Sequence, residues 1–581
     1  MSRPDLDRLA PSLARLRRYQ RSWLRGDVLA GVTVAAYLVP QVMAYAEVAG
    51  LPAVVGLWAI VGPLLVYAVV GSSRQLSVGP ESTTALMTAV AVGSIAGDDP
   101  KQHAALAAAL AIIVGAFCIV GWIGRLGFLA DLLSKPVLVG YMAGIAVIMV
   151  ITQLDKLVGI SSSDADTVLG EAWDVLTRLD EVHGPTLALG LTVLVVLLVG
   201  SRRFPRAPVP LIGMLLAAAA VAVFDLQDHG IQVVGEVPSG LPSPAIPDVS
   251  GGDVVSMLLP AVGVAVVGYS DNVLTGRAFA VRNGYRVDPN QELFALGAAN
   301  VASGLTQGFP VSSSGSRTVI GDALGSRSQL YSLVALALVV ATLLFLGPLL
   351  SSFPDAALGA IVVYAATRLV DVGEFRRMAR FRYSEFALAA ATTAGVLVLD
   401  VLYGVLFAIA LSLLDLLRRV ARPHDGILGY APGVAGMHDM DDYPDAKPVP
   451  GLVVYRYDSP LFFANVEDFK RRALESVDAG PEPVEWFLLN AEANVQVDIT
   501  AVDALVELLE ELDRRGVVFA MARVKQELRD DLEAAGFVER VGEDRVFFTL
   551  PTAVQAYAEW YRDQHGELPP GLPSPDPPGL T

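Results

Sequence analysis

One cysteine and six histidines are all the thiol and imidazole in 581 residues. Cys118 lies inside an apolar run, which excludes an intramolecular disulfide, a CxxC redox pair and a cysteine-rich zinc site. The histidines show no HxxxH or HExxH spacing, so no metal centre is expected. Charge is also scarce, at 18% of residues, and 60 acids outnumber 42 bases for a net charge of -18. Without a basic face the chain has no general grip on phosphates, and a nucleic-acid partner is set aside. There is no GxxxxGK[ST] loop, and the nearest approach to GxSxG, Gly268-Tyr269-Ser270-Asp271-Asn272, lacks the final glycine. ATP-driven pumping and enzymatic activity are therefore not expected, and no cofactor is implied. No cleavable signal peptide is visible, because the first 26 residues are polar and the apolar run from Val28 is too long for an h-region.

What the chain has in abundance is apolar surface: 53% hydrophobic residues and a mean hydropathy of +0.52. That much apolar surface belongs in a lipid bilayer. From about 28 to 420 the sequence reads as fourteen segments of roughly membrane-spanning length, some clearly shorter. Their limits are 28–48, 52–71, 80–96, 104–123, 136–154, 185–200, 209–224, 254–274, 292–307, 315–325, 329–349, 355–370, 384–400 and 403–418. Loops after even-numbered segments, counted with Arg368 at the end of segment 12, carry fifteen Lys and Arg residues, and loops after odd-numbered ones only Lys101, Lys156 and Arg178. An extra or missing helix would invert this bias, so it predicts fourteen crossings with both termini in the cytoplasm of a multi-pass inner-membrane protein. Arg15, Arg17, Arg18, Arg21 and Arg25 make residues 1–26 a basic cytoplasmic lead-in suited to an anionic leaflet.

Segments 3 and 10 are short and are entered alike, through Ser77-Val78-Gly79-Pro80-Glu81-Ser82-Thr83 and through Gly308-Phe309-Pro310-Val311-Ser312-Ser313-Ser314-Gly315-Ser316-Arg317-Thr318. They stand seven segments apart, so in a seven-plus-seven inverted repeat they enter from opposite faces. Discontinuous helices in matched positions are the mark of a secondary transporter whose site lies at the bilayer midplane. A half-helix N-terminus presents free N–H groups and about half a positive charge, which suits a small anion. Ser77, Ser82 and Thr83 on one side, with Ser314, Gly315, Ser316 and Thr318 on the other, are the candidate substrate contacts. Arg317 adds a fixed charge that an anion would compensate. Gln41 follows Pro40 in mid-segment 1, where a freed carbonyl and an amide side chain offer a further contact or simply a kink.

Acids within apolar runs are the second signal. Asp271 follows the stretch Leu258–Val267, and Thr275 lies one turn further on the same face. A carboxylate there must bind a cation or take up a proton. Glu81 begins segment 3, where the helix dipole favours its charged form. Because two carboxylates repel a bound anion, at least one is expected to be neutralised with it, which predicts symport with H+ or Na+ through Asp271, Thr275 and Glu81.

Past the transport domain, 27–422, residues 423–449 read as a Gly-, Asp- and Pro-rich linker. Residues 450–563 follow as a soluble α/β domain, with strands near 452–455, 486–489, 517–520 and 546–548 and helices near 465–477, 501–515, 525–535 and 551–563. Residues 564–581 form a proline-rich tail expected to be disordered.

These residues resemble the sulfate permease (SulP) family of anion transporters. The specific stretches are Pro40-Gln41-Val42-Met43-Ala44-Tyr45-Ala46, Arg74-Gln75-Leu76-Ser77-Val78-Gly79-Pro80, Gly276-Arg277-Ala278-Phe279-Ala280, Asn290-Gln291-Glu292-Leu293 and Ser314-Gly315-Ser316-Arg317-Thr318. The resemblance implies a polytopic α-helical membrane domain of fourteen transmembrane segments in a 7+7 inverted repeat with two half-helices, joined to a C-terminal α/β STAS domain. It places the anion between the ends of segments 3 and 10, with Ser316 and Arg317 lining the site, and matches the coupling acid of proton-coupled members to Asp271. It also implies elevator-like movement of segments 1–4 and 8–11 against the rest. The STAS resemblance rests on Asp498-Ile499-Thr500. Ile499 stands where anti-sigma-factor antagonists carry a phosphorylated serine, so a homodimer contact or a cytoplasmic protein partner is expected instead, with Thr500 as a helix cap. Sulfate heads the substrates, with bicarbonate or a dicarboxylate as alternatives. A nucleobase-type permease of the same fold and a membrane-anchored STAS signalling receptor are the competing readings.

Overall fold

The computed structural model describes residues 9–570 and 572, apart from 98, 132–133, 162–166, 205–206, 236–239 and 480–481. Residues 573–581 of the proline-rich tail, and 1–8 of the basic lead-in, lie outside the described residues. The chain divides into two compact units, Met1–Ser412 and Leu413–Thr581.

The first unit is helical. Its principal helices are α1 Leu24–Val48, α2 Ala53–Val70, α3 Ser82–Ala96, α4 Pro100–Ile123, α5 Lys135–Ile151, α6 Gly184–Arg203, α7 Val209–Val223, α8 Gly251–Arg282, α9 Pro289–Leu305, α10 Gly315–Ala323, α11 Leu330–Phe345, α12 Asp355–Leu369 and α13 Val372–Phe381, with α14 Tyr383–Ala421 running on past it. Among the described residues, seven helices are long and apolar enough to cross a membrane by length and composition. Small residues let the helices approach closely where apolar surface alone gives little preference for one neighbour. On α4 and α9, a Cβ at Gly115 would stand 2.6 Å from the Gly297 carbonyl oxygen, and one at Gly297 2.9 Å from that of Gly115. On α1 and α2, a Cβ at Gly56 would overlap the Val42 carbonyl.

The largest departures from the segment limits read in the sequence are in α8 and α14. α8 runs for 32 residues, beyond the expected 254–274: a capping box of Ser250 and Asp253 starts it at Gly251, and it continues through Arg282 at its other end. Segments 13 and 14 both fall within α14, a single helical stretch of 39 residues. A straight helix would hold residues 396 and 404 about 12 Å apart, yet a Cβ on Gly404 would stand 2.6 Å from the Val396 Cα. The stretch therefore doubles back between them, and the missing side chain at Gly404 lets the two arms touch.

The second unit is a six-stranded sheet of β3 Asp425–Tyr430, β4 Met437–Asp439, β5 Leu452–Tyr457, β6 Trp486–Asn490, β7 Val518–Ala522 and β8 Val546–Phe547, in the order β4-β3-β5-β6-β7-β8. The first unit holds a separate two-stranded pair, β1 Val78–Gly79 and β2 Ser312–Ser313. Strands β5 to β8 are parallel, joined through α15 Val466–Asp478, α16 Ile499–Arg514 and α17 Gln526–Ala534, and followed by α18 Leu550–His565. Alternation along β5 sends Tyr455 and Tyr457 to one core with Phe469 and Leu505, and Leu452 and Val454 to another with Val554 and Tyr557. The stretch 423–449 is more than a linker: β3 and β4 extend the sheet by antiparallel pairing, with Leu428 and Val449 buried. Asp498, not Thr500, caps α16. Its carboxylate accepts from the Ala501 amide at 2.8 Å and also from that of Phe463 at 2.8 Å, while Ile499 is 71% exposed.

Gly56→Ala should cost about 1–3 kcal/mol, because the added methyl has to push α1 from α2. Thermal unfolding of the detergent-purified protein tests this, and an unchanged midpoint would contradict the packing described.

Candidate functional site

The two short helices are joined at their entrances. β1 and β2 pair antiparallel, with Val78 opposite Ser313 and Gly79 opposite Ser312. The ladder continues through side chains: the Ser314 amide donates to the Ser77 carbonyl at 2.8 Å, the Ser77 amide to Thr318 Oγ1 at 3.0 Å, and that hydroxyl to the Ser314 carbonyl at 2.7 Å. Asn300 of α9 holds both polar groups of Val311, accepting from its amide at 2.9 Å and donating to its carbonyl at 3.0 Å. Proline at 80 and 310 cannot continue a helix backwards, so the chain must enter each half-helix extended. Away from water, the exposed backbone groups then need partners, and each lead-in supplies them to the other.

Arg317 is fully buried, with 0% exposure. Its Nε donates to Ser77 Oγ at 3.3 Å, and Nη1 donates to Gln41 Oε1 at 3.2 Å and to the Pro80 carbonyl at 3.0 Å. Nη2 is buried without a hydrogen-bond partner. No carboxylate forms an ion pair with Arg317 among the described residues. Gln41 is thereby spent on bracing the guanidinium, and its Nε2 donates to Tyr45 at 3.0 Å. Beside Arg317, Ser314 Oγ and Ser316 Oγ lie 3.2 Å apart, and Ser314 makes no side-chain cap to α10. Gly315 and Ser316 are exposed, and a Cβ on Gly315 would meet nothing within 4 Å. The α10 end thus keeps an uncapped N-terminus, an open approach and one unsatisfied guanidinium nitrogen.

The α3 end is different, so the symmetric cradle expected from the sequence is lopsided. Glu81 caps α3 with its own carboxylate, whose Oε2 accepts from the Thr83 amide at 2.9 Å and from Ser82 Oγ at 2.7 Å. Ser82 and the Thr83 amide, expected to face a substrate, are occupied by Glu81. A carboxylate one and two residues from those donors reaches them with little cost in loop closure. The Thr83 hydroxyl lies 4.0 Å from Met142 Sδ.

Asp271 lies on α8 and accepts from Ser313 Oγ at 2.7 Å, with Thr275 as a second hydrogen-bond partner. The residue that Asp271 holds, Ser313, therefore stands four positions before Arg317 in the chain. Other buried polar groups were given no role by the sequence, although Glu292 stands in one of the family-specific stretches. Glu292 of α9 is fully buried and accepts from Tyr67 Oη, Ser72 Oγ, the Ser72 amide and Asn272 Nδ2 at 2.7–2.8 Å. Asp27 of α1, equally buried, accepts from the Arg327 amide and Ser328 Oγ at 2.7 Å. Gln329 donates to the carbonyls of Ser73 and Leu76 at 3.1 and 2.9 Å. Together they clamp the loops leading into α3 and out of α10. Buried acids in the first turn of an apolar helix were the available signal, hidden because Asp27 and Glu292 sit next to segment ends. The buried Tyr141 hydroxyl, on α5, has no hydrogen-bond partner among the described residues.

Two interrupted helices stitched together at their entrances, with an unpaired buried arginine at the seam, define a polytopic membrane transport protein. Residues 24–392 match the model of the Sulfate permease family, and 443–553 that of the STAS domain. The chain belongs to the sulfate permease family; it is a membrane transporter and not an enzyme. A probable sulfate transporter of Mycobacterium tuberculosis (strain ATCC 25618 / H37Rv) is 59% identical over 548 residues, 94% of this chain and 98% of that protein. Chloroplastic sulfate transporter 4.1 of Arabidopsis thaliana is 32% identical over 97% of this chain and 84% of its own length. In fold, the chain matches murine Solute Carrier 26 family member A9, an anion transporter solved in the inward-facing state, with a TM-score of 0.88 at 24% identity, over 96% of this chain and 95% of that one. The transmembrane domain of a cyanobacterial bicarbonate transporter matches with a TM-score of 0.60 at 24% identity, over 68% of this chain and 98% of that one.

Glu81→Ala should lower stability by about 1 kcal/mol through loss of the cap, and Glu81→Gln by less, since an amide oxygen still accepts from Thr83. Thermal unfolding of both variants checks the order; an alanine variant as stable as the parent would show the cap to be idle.

Proposed function

We propose that the protein is a secondary active transporter of small anions, sulfate foremost, driven by symport of H+ or Na+. One observation carries the reading: a buried arginine with no carboxylate partner and one unsatisfied nitrogen, beside an uncapped helix N-terminus. Burying an unpaired guanidinium is costly, and a small anion at the α10 end offsets that cost while completing its hydrogen bonds. The names of the Mycobacterium and Arabidopsis relatives favour sulfate.

In this reading Ser314, Gly315, Ser316 and Arg317 receive the anion, Ser77 and Gln41 orient Arg317, and Asp271 with Thr275 takes the coupling cation. Ser313 links the two sites, since it holds the carboxylate while its backbone belongs to β2. Glu81, Ser82 and Thr83 act differently: the Glu81 charge stands where a second anion contact would otherwise form, so protonating it or turning it away opens the α3 donors to substrate. The protein sits in the inner membrane with fourteen crossings and both termini in the cytoplasm, as a homodimer whose STAS domain receives a cytoplasmic partner.

Transport proceeds by elevator-like displacement of α1–α4 and α8–α11. An ion pair fits this division: Lys156, just past α5 in the static group, lies 2.7 Å from Glu47 near the end of α1 in the moving group. Displacement has to break it.

Proteoliposome uptake of labelled sulfate, bicarbonate, succinate and chloride, under separately imposed pH and sodium gradients, tests the proposal. Arg317→Ala should raise the half-saturating sulfate concentration about 10- to 100-fold, the loss expected for hydrogen bonds to a charged group. Asp271→Asn should abolish gradient-driven accumulation. Accumulation of a neutral solute, indifferent to both changes, would overturn the assignment. Lys156→Met should slow maleimide labelling of an introduced Ser316→Cys by up to about fivefold, if the ion pair contributes about 1 kcal/mol to the state with Ser316 accessible; Glu47→Gln should match it, and unchanged labelling in both would remove the link.

A further inference from the structure

α13 is a ten-residue helix set between α12 and α14, so it lies at the membrane face where α12 ends. Its sequence, Val-Gly-Glu-Phe-Arg-Arg-Met-Ala-Arg-Phe, turns one side inward at Met378, which is 4% exposed. Outward it carries Arg376, Arg377 and Arg380, and Lys135 at the start of α5 joins them. A cavity of about 320 Å³ opens here, lined by Lys135, Pro136, Arg377, Met378, Phe381 and Glu385.

The local acids are committed. Asp371 caps α13 through the Glu374 amide at 3.0 Å. Glu374 lies 2.9 Å from Lys135 Nζ and 3.3 Å from Arg377 Nη2, and Glu385 is already engaged. The side chains of Arg376 and Arg380, one helical turn apart, form no ion pair or hydrogen bond with another described residue. Two large rings flank this cationic surface in the open: Phe381 is 71% exposed and Tyr383 76%. Arg382 lies over the Phe381 ring at 5.7 Å.

We infer that α13 and the start of α5 form a binding site for the phosphodiester headgroup of an anionic phospholipid in the cytoplasmic leaflet. Guanidinium forks at 376, 377 and 380 match phosphate oxygens in pairs. Phe381 and Tyr383 enter the acyl boundary beside the headgroup, as the apolar side of an interfacial helix does. Charge complementarity selects an anionic over a zwitterionic lipid, and the exposed rings select a lipid over a free phosphate ion, which has no use for them. The site rests on the cytoplasmic placement of the α12–α14 connection, but not on the identity of the transported anion, so the uptake experiments and the following one fail independently.

The test is native mass spectrometry of the purified full-length protein titrated with phosphatidylglycerol or phosphatidylcholine. The parent should retain phosphatidylglycerol preferentially. Replacing Arg376, Arg377 and Arg380 together by Gln should weaken that retention by roughly fivefold for each arginine removed. Replacing the same three by Lys keeps the charge and should keep most of the preference, which separates lost binding from lost folding. Phe381→Ser should weaken retention of both lipids. Equal retention by the glutamine variant overturns the proposal. So does displacement of phosphatidylglycerol by inorganic phosphate with Phe381→Ser without effect, which would mark a free-ion site. Dissociation of a dimer in the glutamine variant, with lipid retention unchanged, would assign the surface to an acidic face of a second copy and overturn it as well.

Discussion

Everything at the centre of the membrane unit depends on four residues pairing across the midpoint of the chain, Val78–Gly79 with Ser312–Ser313. Within a membrane-spanning unit an extended backbone is tolerated only when its amides and carbonyls find partners inside the protein. These two lead-ins are more than two hundred residues apart in sequence, and neither could satisfy itself. Once paired, they bring the start of α10 against the entrance to α3, fix Ser313 beside Asp271 and set Arg317 under Pro80. The acid then bonds β2 at Ser313, while the base bonds the chain on either side of β1, at Ser77 and Pro80.

Around this seam the structure spends buried polar groups on holding loops. Glu292 collects hydrogen bonds from the chain between α2 and α3, and Asp27 does the same for the chain between α10 and α11. Several donated hydrogen bonds satisfy the lone pairs of such a buried carboxylate and offset the cost of taking it out of water. The contrast with Arg317 is informative. Its three donated bonds all go to neutral groups, leaving its positive charge without a counterion. The two buried acids are satisfied by the loops they hold, and the arginine at the seam keeps one nitrogen open among the described residues.

Periodicity, loop charge and the repeated Gly-Pro-hydroxyl entrances made the helical membrane unit and its two short helices legible without coordinates. The strands of β5 to β8 and the helices between them were legible for the same reason, since each carries its own apolar rhythm. The hairpin of β3 and β4 was not, because its Gly, Asp and Pro content belongs equally to a linker. The turn within α14 was placed by composition at 401–402, and only the contact of Gly404 with Val396 shows how tightly the arms fold together. In the site, residue type pointed to Arg317 and Asp271, but the partner of each side chain was beyond reach: Gln41 braces the guanidinium, and Ser82 serves Glu81.

Local chemistry alone determined that this chain enters a membrane, that two helices are broken in matched positions, and that hydroxyls, one arginine and one aspartate cluster near the breaks. Those properties follow from the order of side chains along a few turns. Which of the two helix ends stays open was decided only by tertiary structure. Glu81 is near enough in sequence to cap its own helix, whereas Ser314 leaves α10 uncapped, and the guanidinium that faces the gap is held by α1 and the α3 lead-in, far away along the chain. Contacts between such distant residues depend on how the helices cross, and no short stretch of sequence contains that information.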